Sequence, residues 1–167
     1  VGMTVKLLGN KWISDMTMDV VAFKSTFDQL IEANQDDKGI IHFENITDAR
    51  ISGLEVGLSG AMLDKSLLFS TAYTQLNPEE IDKDGNTIDT LAYRFRYTLV
   101  TTIGTRLMGV TATLENRYMS RIERVKLFQE NAISGEDKRV PIHIWNASLG
   151  YDYRGWDFLF RVENMFQ

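Results

Sequence analysis

The sequence predicts an all-β chain that forms part of an antiparallel, up-and-down transmembrane β-barrel. Apolar and polar residues alternate with a period of two along nearly all of its 167 residues, as in strands with two unlike faces. Short turns alternate with longer polar loops, and aromatic residues gather toward the strand ends. The chain has only two prolines and many β-branched and aromatic residues, which favours strands over loops.

The alternation defines about eight strands. In order, they span residues 1–8, 12–25, 40–62, 66–76, 91–107, 109–123, 139–153 and 155–166. The third shows the pattern well, because Leu54 and Val56 point to one side while Glu55 and Gly57 point to the other. The same pattern recurs from "VGMTVKLL" at the start to "SLLFSTAYTQL", "YRFRYTLVTTIG", "GVTATLENRY", "IHIWNASLGYDY" and "WDFLFRVENMF". Tilted strands of about ten residues are long enough to cross a bilayer.

The connections between these strands differ in length according to their order. The short ones are "LGNK" (8–11), "LDK" (63–65), "LMG" (107–109) and "YRG" (153–155), and the long ones are 32–39, 77–90 and 124–139. In an up-and-down arrangement alternate connections lie at the same end, so all the short turns share one end and all the long loops the other. Outer-membrane barrels have this asymmetry, with short periplasmic turns and longer extracellular loops.

The two predicted faces of the sheet differ in charge. The apolar face is expected to meet lipid, with a girdle of aromatic side chains at the membrane interfaces. The girdle candidates are Trp12, Tyr93, Tyr97, Tyr118, Trp145, Tyr151 and Trp156. The other face is expected to enclose the lumen, where charges of both signs can pair across strands. The lumen-facing candidates are Asp19, Glu55, Arg94, Arg96, Glu115, Arg117, Arg161 and Glu163.

The composition excludes several other classes of protein. A formal net charge of −5 and a pI of about 5.1 give no electrostatic support for nucleic-acid binding. There is no run of about 18 apolar residues for a membrane-spanning helix, and the mean hydropathy of −0.19 remains compatible with a membrane barrel. The absence of cysteine removes disulfides, thiolate metal ligands and thiol nucleophiles.

The sequence predicts no catalytic residue, no metal site and no cofactor. "DKDGNT", beginning at Asp82, has acidic and amide residues at alternate positions like a calcium loop. Its glycine is misplaced and position twelve is Tyr93 rather than glutamate, so a solvated turn is the better interpretation. His42 and His143 are far apart in sequence and lack other ligands, and no serine lies in a nucleophile elbow. We therefore expect a protein that is not an enzyme.

Four segments resemble the later barrel strands of TonB-dependent outer-membrane receptors. "MDVVAFKSTFDQLIEA" is similar to a family strand ending in D-x-L-I, and "HFENITDARISGLEVGLSGAM" to the following F-x-N-x-x-x-A-x-x-x-G-x-E segment. The matching residues are Asp28, Leu30 and Ile31 in the first, and Phe43, Asn45, Ala49, Gly53 and Glu55 in the second. "RVENMF" resembles the closing V-x-N-L-F stretch through Asn164 and Phe166. "LAYRFRYTLVTTIG" resembles a third strand, with Phe95 and Tyr97 replacing its common proline and histidine.

The resemblance implies the fold and function of the whole receptor. The family's barrel has about 22 strands around an N-terminal plug, and residues 1–167 would be a C-terminal segment of that one domain, without plug or final strand. It also implies uptake of a scarce nutrient, most often a ferric siderophore or other metal chelate, energised by the TonB complex through the plug. The expected location is the outer membrane of a Gram-negative bacterium, in contact with its lipid.

Three alternatives remain at this point. The chain could belong to a passive porin or structural barrel without a plug, or to a soluble β-barrel that encloses an apolar ligand. Arg94, Arg96, Arg117 and Arg161 could form an inward basic patch that contacts an anionic substrate or the plug. Alternatively they form a structural network with Glu55, Glu115 and Glu163.

Overall fold

The computed structural model describes residues 1–7, 9, 12–35, 40–91, 94–123 and 139–166, and these residues form nine strands. The strands are β1 (Gly2–Leu7), β2 (Ile13–Gln35), β3 (Ile41–Met62), β4 (Leu67–Ile81), β5 (Thr87–Thr90), β6 (Tyr97–Leu107), β7 (Val110–Met119), β8 (Ile142–Tyr153) and β9 (Trp156–Val162). Within the described part of the chain, no helix has the length and hydropathy needed to cross a bilayer.

All the strands belong to one antiparallel sheet. Its order is β1-β2-β3-β4-β6-β7-β8-β9, and β5 pairs only with β4 at one end. Apart from β5, each strand thus lies beside the strands that precede and follow it in this order, as in an up-and-down meander. The predicted fold class is confirmed: the chain is all-β and forms an open antiparallel sheet.

The short turns have backbone conformations suited to tight hairpins. Met108 and Gly109, between β6 and β7, have φ angles of 52° and 81°. Arg154 and Gly155, between β8 and β9, have φ angles of 48° and 83°. Positive φ at both central residues is characteristic of a type I′ turn, whose twist matches that of the flanking strands. Residues 63–65, between β3 and β4, are also all at positive φ.

Two strands are longer than predicted at their loop ends. β2 continues to Gln35, whereas the sequence predicted its end at residue 25. The prediction stopped too early because a bulge between Phe27 and Leu30 breaks the alternation of apolar and polar residues. Gln29 adopts a φ of 57° in this bulge, and its backbone N–H donates to Asp48 Oδ1 at 2.9 Å. β4 continues to Ile81, so the predicted loop 77–90 is mostly a hairpin of β4 with β5.

The other differences concern the predicted loops and the fifth predicted strand. That strand starts at Tyr97 rather than residue 91. In the predicted turn 8–11, residues 8, 10 and 11 lie outside the described residues, and so do 36–39 of the loop 32–39 and 124–138 of the loop 124–139.

Strand register sorts the side chains onto two faces, because directly paired residues share a face. One row crosses the sheet as Asp19, Gly57, Ala72, Val100, Arg117 and Ile144. Glu55 lies on the same side as this row, which we call the Glu55 face. The next row crosses as Val20, Val56, Tyr73, Leu99, Tyr118 and His143. Leu54 lies on that side, the Leu54 face.

The sheet buries little apolar surface by itself. Among the described residues the buried apolar side chains are Ala49, Ala61, Ile81 and Leu91. By contrast, large apolar residues such as Ile103, Leu149 and Phe160 are about half exposed or more. A single layer of this kind needs a second medium or a second layer on each face, so its stability depends on what covers the two faces.

Candidate functional site

The Glu55 face carries most of the predicted lumen-facing charges. Register places Asp19, Glu55, Glu115, Arg117 and Arg161 on this face. The pairs are Asp19 with Gly57, Glu55 with Val21, Glu115 with Asn146, and Arg161 with Ser148. These five side chains share one side of the sheet, and the assignment of that side to the lumen stays a prediction.

A polar concavity of about 330 Å³ lies on this face between β6 and the end of β9. It is lined by Thr102, Thr113, Glu115, Asn146, Ala147, Ser148, Arg161 and Glu163. Hydrogen bonds organise it: Asn146 Nδ2 donates to Glu115 Oε1 at 3.1 Å, and Asn146 Oδ1 accepts from the backbone N–H of Asn164 at 3.1 Å. The structure thus brings Glu115, Arg161 and Glu163 together, with Asp19 and Glu55 several strands away.

The ion pairs around this concavity are loose. Arg117 Nη2 lies 3.9 Å from Glu115 Oε1, and Arg161 Nη1 lies 3.5 Å from Glu163 Oε1. All four side chains are about one-third to two-thirds exposed, so each pair contributes little to stability. Arginines and glutamates nevertheless neutralise each other in pairs, as in a structural network, and no excess positive charge remains there for an anionic ligand.

Two of the arginines that the sequence predicted to face the lumen lie outside the strands. Arg94 and Arg96 precede β6, where the backbone ladder is irregular. The Ser120 hydroxyl oxygen accepts the backbone N–H groups of Arg96 and Tyr97 at 3.0 and 3.1 Å. The Arg96 guanidinium pairs with Glu123 at 3.1 Å. Arg96 is therefore already paired with a carboxylate at the base of the third long loop.

The girdle residues that the strand register places on the Leu54 face are Tyr97, Tyr118, Trp145, Tyr151 and Trp156, in two groups, whereas Trp12 precedes β2. Toward the loop end, ring pairs are Tyr73 with Tyr97 at 6.4 Å, Tyr118 with His143 at 4.9 Å, and Trp145 with Phe166 at 6.3 Å. Toward the turn end, Tyr151 stacks on Tyr153 at 6.0 Å, and Trp12 and Trp156 are exposed. Tyr93 lies outside the described residues.

Sequence reasoning missed an ionic clamp at the loop end of the Leu54 face. Arg50 Nε donates to Glu79 Oε2 at 2.7 Å, and its other nitrogens donate to Gly85 O at 3.2 Å and Thr87 Oγ1 at 3.0 Å. One guanidinium on β3 thereby fixes both strands of the β4–β5 hairpin. No pattern in the sequence predicted this contact, because Glu79 lies within the loop predicted at 77–90.

The segment resembling a calcium loop is the turn of this hairpin. Asp82 Oδ1 accepts the backbone N–H groups of Asn86 at 2.8 Å and Asp84 at 2.9 Å. These hydrogen bonds, led by those from Asn86, hold the pKa of Asp82 below its usual range. Among the described residues, no group of three or more His, Cys, Asp or Glu side chains is placed to hold a metal. The Asp82 carboxylate therefore stabilises the hairpin turn through these hydrogen bonds.

Comparison with known proteins decides which family this sheet represents. Residues 2–165 match the family described as TonB dependent receptor-like, beta-barrel. The chain belongs to the TonB-dependent receptor β-barrel family. The resemblance predicted from the sequence is thereby confirmed.

One solved structure shows the same fold as this TonB-dependent receptor segment. It is the crystal structure of the ferric-catecholate import receptor Fiu from E. coli K12 in its closed form. The similarity covers 99% of this chain and 22% of that chain, with a TM-score of 0.65 and 19% identity. The chain therefore spans about a fifth of the length of this neighbour. No curated protein matches the sequence.

Membership of the TonB-dependent receptor family implies the outer membrane of a Gram-negative bacterium. The family and the neighbour Fiu are receptors and transporters rather than enzymes. The Glu55 and Leu54 faces are thus two sides of a barrel wall, and the polar concavity lies on that wall.

Acid should loosen the hairpin turn of this receptor segment. The folded-state pKa of Asp82 is lowered, so its ionised form stabilises the turn above the pKa of an unfolded aspartate, and this stabilisation is lost as pH falls through the lowered pKa. Amide exchange at Asp84 and Asn86, corrected for intrinsic pH effects, should rise below about pH 4. In Asp82→Ala that acid-dependent rise should be absent, whereas an identical rise in the variant would contradict the assignment.

Proposed function

We propose that this chain forms part of the wall and outer loops of a receptor for TonB-energised uptake of a scarce nutrient, with a ferric siderophore or other metal chelate as cargo. The family match over residues 2–165 carries the proposal. The fold shared with a ferric-catecholate import receptor supports a metal chelate as cargo. Residues 1–167 would be the C-terminal part of one barrel domain of about 22 strands.

The Leu54 face meets lipid and the Glu55 face meets the lumen. The spacing of the two aromatic groups supports this orientation. Tyr153 lies ten residues beyond His143 along β8, which gives about 33 Å along the strand at about 3.3 Å per residue. At a tilt of about 40° this corresponds to about 25 Å across the membrane, the height of the apolar band in outer-membrane barrels. The polar concavity on the opposite face suits a watery or plug-filled lumen.

The short turns are periplasmic and the long loops extracellular. Tight type I′ turns at one end and an extended β2–β3 hairpin at the other support this orientation. Force from the TonB complex would reach the receptor through a plug domain, which residues 1–167 do not include. Arg117 and Arg161 hold a structural network with Glu115 and Glu163, since each lies beside a carboxylate.

Uptake of radioactive ferric siderophores by cells that carry or lack the full-length gene tests this function. We expect iron accumulation that requires the gene and stops when TonB is deleted or the proton gradient is collapsed. A passive porin, the alternative, would give uptake that persists in both conditions. Such persistence, or no dependence on the gene for any chelate, would overturn the proposal.

A further inference from the structure

Four aromatic residues gather on the Leu54 face at the turn end of β8 and β9. Tyr151 pairs with Phe158, and Tyr153 pairs with Trp156, in the β8–β9 ladder. The two tyrosine rings stack with their centroids 6.0 Å apart. All four residues are exposed, from 42% for Tyr151 to 70% for Trp156. We call these four residues together with Arg154 the β8–β9 turn cluster.

Arg154 lies at the tip of this hairpin, and its guanidinium carbon is 5.2 Å from the centroid of the Tyr153 ring. A cation at this distance from a ring face is attracted to it, so the guanidinium stays beside the aromatic residues. The turn conformation does not account for an arginine, because Asn, Asp and Gly are preferred at the central positions of a type I′ turn. The matching position of the β6–β7 turn is Met108, so these turns do not require a positive charge either.

The Arg154 guanidinium forms no ion pair with any described carboxylate. The acidic residues of the same hairpin end, Asp152 and Asp157, pair with each other in the ladder and lie on the Glu55 face. On that face Arg106 Nη2 lies 3.1 Å from Asp152 Oδ2. The Leu54 side of this hairpin end therefore carries a positive charge that no neighbouring carboxylate neutralises.

The β8–β9 turn cluster lies at the depth expected for lipid headgroups. Tyr153 is about 25 Å across the membrane from His143 at the loop end, so Arg154 is the first residue beyond the apolar band. Tyr and Trp rings favour this interface, since one edge of the ring can stay in contact with water. Arginine can lay its aliphatic stem along apolar surface and keep its guanidinium among the polar headgroups.

We propose that the β8–β9 turn cluster binds the phosphodiester of an anionic phospholipid in the periplasmic leaflet. This inference rests on the proposed function, which places the Leu54 face in lipid and the short turns in the periplasm. The planar Arg154 guanidinium can donate two parallel hydrogen bonds to phosphate oxygens, while the four rings contact the glycerol backbone and the upper acyl chains. A zwitterionic headgroup brings its own ammonium, which offsets the attraction of Arg154 for the phosphate.

Native mass spectrometry of the purified full-length receptor, titrated with phosphatidylglycerol in detergent, tests the binding. We expect about fivefold weaker retention of the lipid by Arg154→Gln, because one basic residue near an anionic lipid surface contributes about that much. Arg154→Lys keeps the charge without the planar fork and should retain more lipid than Arg154→Gln. Arg106→Gln removes an arginine at the same end of the sheet but on the Glu55 face. It is the matched control and should retain lipid as wild type does.

Two competitors define the headgroup and the need for acyl chains. Glycerol phosphate has the same phosphate chemistry without acyl chains, so it should not displace phosphatidylglycerol at equal concentration. Displacement would show a site for a free anion and would overturn the lipid as occupant. Phosphatidylethanolamine should bind more weakly than phosphatidylglycerol, and equal binding would overturn the preference for an anionic headgroup.

A photoreactive amino acid in place of Trp156, in the full-length receptor in cells, identifies what covers the cluster. We expect irradiation to crosslink this position to phospholipid. A crosslinked receptor dimer, or another protein as the main product, would show that a protein surface covers the cluster and would overturn the inference.

The outcomes separate this inference from the proposed uptake function. Equal retention of phosphatidylglycerol by Arg154→Gln and wild type would overturn the lipid site and leave TonB-dependent uptake intact. Uptake that is independent of TonB, together with the fivefold loss of lipid in Arg154→Gln, would overturn the uptake function and leave the lipid site intact.

Discussion

Gly53→Ala in the full-length receptor should greatly reduce the amount of folded barrel. A Cβ at this position would lie 2.5 Å from the Gln75 carbonyl oxygen and 2.7 Å from Phe23 Cζ. The carbonyl belongs to β4, so relief of this overlap must disturb the β3–β4 ladder. Overpacking of this kind costs about 1–3 kcal/mol, and more where backbone must move. Denaturant unfolding in lipid vesicles and heat-dependent mobility on gels would measure the loss.

Gly57→Ala is the matched control, because Gly57 lies four residues farther along the same strand and on the same face. Its added Cβ would meet only Asp19, at an ordinary 3.8 Å from Cβ. Both substitutions restrict the unfolded chain equally, so they isolate the steric difference. Equal stability of the two variants would refute the close approach at Gly53.

Ile103→Arg should block assembly into the membrane, whereas Thr102→Arg should be tolerated. Ile103 pairs with Phe69 and Leu114 on the Leu54 face and is 49% exposed. An arginine that faces lipid near the bilayer midplane costs about 2–4 kcal/mol. Thr102, the adjacent residue, faces the other side, where an arginine could pair with Glu115 across the ladder. The fraction of full-length protein that reaches the outer membrane in folded form measures the difference.

The comparison uses the same new side chain at adjacent positions, so overall charge and strand propensity are matched. A severe defect in Thr102→Arg with normal assembly of Ile103→Arg would show that the Glu55 face, and not the Leu54 face, meets lipid. Equal tolerance of both changes would show that neither face meets hydrocarbon.

Much of the fold follows from local alternation, and the failures occur where alternation breaks. The pattern around Leu54 and Glu55 is unbroken, and the strand predicted at 40–62 is found as Ile41–Met62. In β2 the bulge at Gln29 shifts the phase of the apolar–polar alternation. The alternation therefore did not predict a strand beyond residue 25. Pro78 belongs to the loop predicted at 77–90, yet it pairs with Ile51 inside β4, and its carbonyl accepts Leu91 N–H.

The candidate site could be predicted only in part, because its contacts depend on register. Alternation alone places Glu115 and Arg161 on one face, but their approach requires the pairing of β7, β8 and β9. The Arg50 clamp is still harder to predict from the sequence, since it joins β3 to a turn 35 residues away. Arg96 was predicted as a strand residue, and the Ser120 hydrogen bonds and the isolated bridge between Phe95 and Ile122 show that the ladder there is irregular.

The order of strands in the sheet has a consequence for how this wall assembles. Every ladder joins strands that are next or next but one in sequence, so each ladder can form by closing one connection between nearby strands. No strand must wait for a distant partner within this segment. Cleavage of the polypeptide between β7 and β8 would leave whole hairpins on both sides of the cut. Two separately synthesised pieces should therefore reconstitute the sheet, and this connection is a natural place to divide the receptor into complementing fragments.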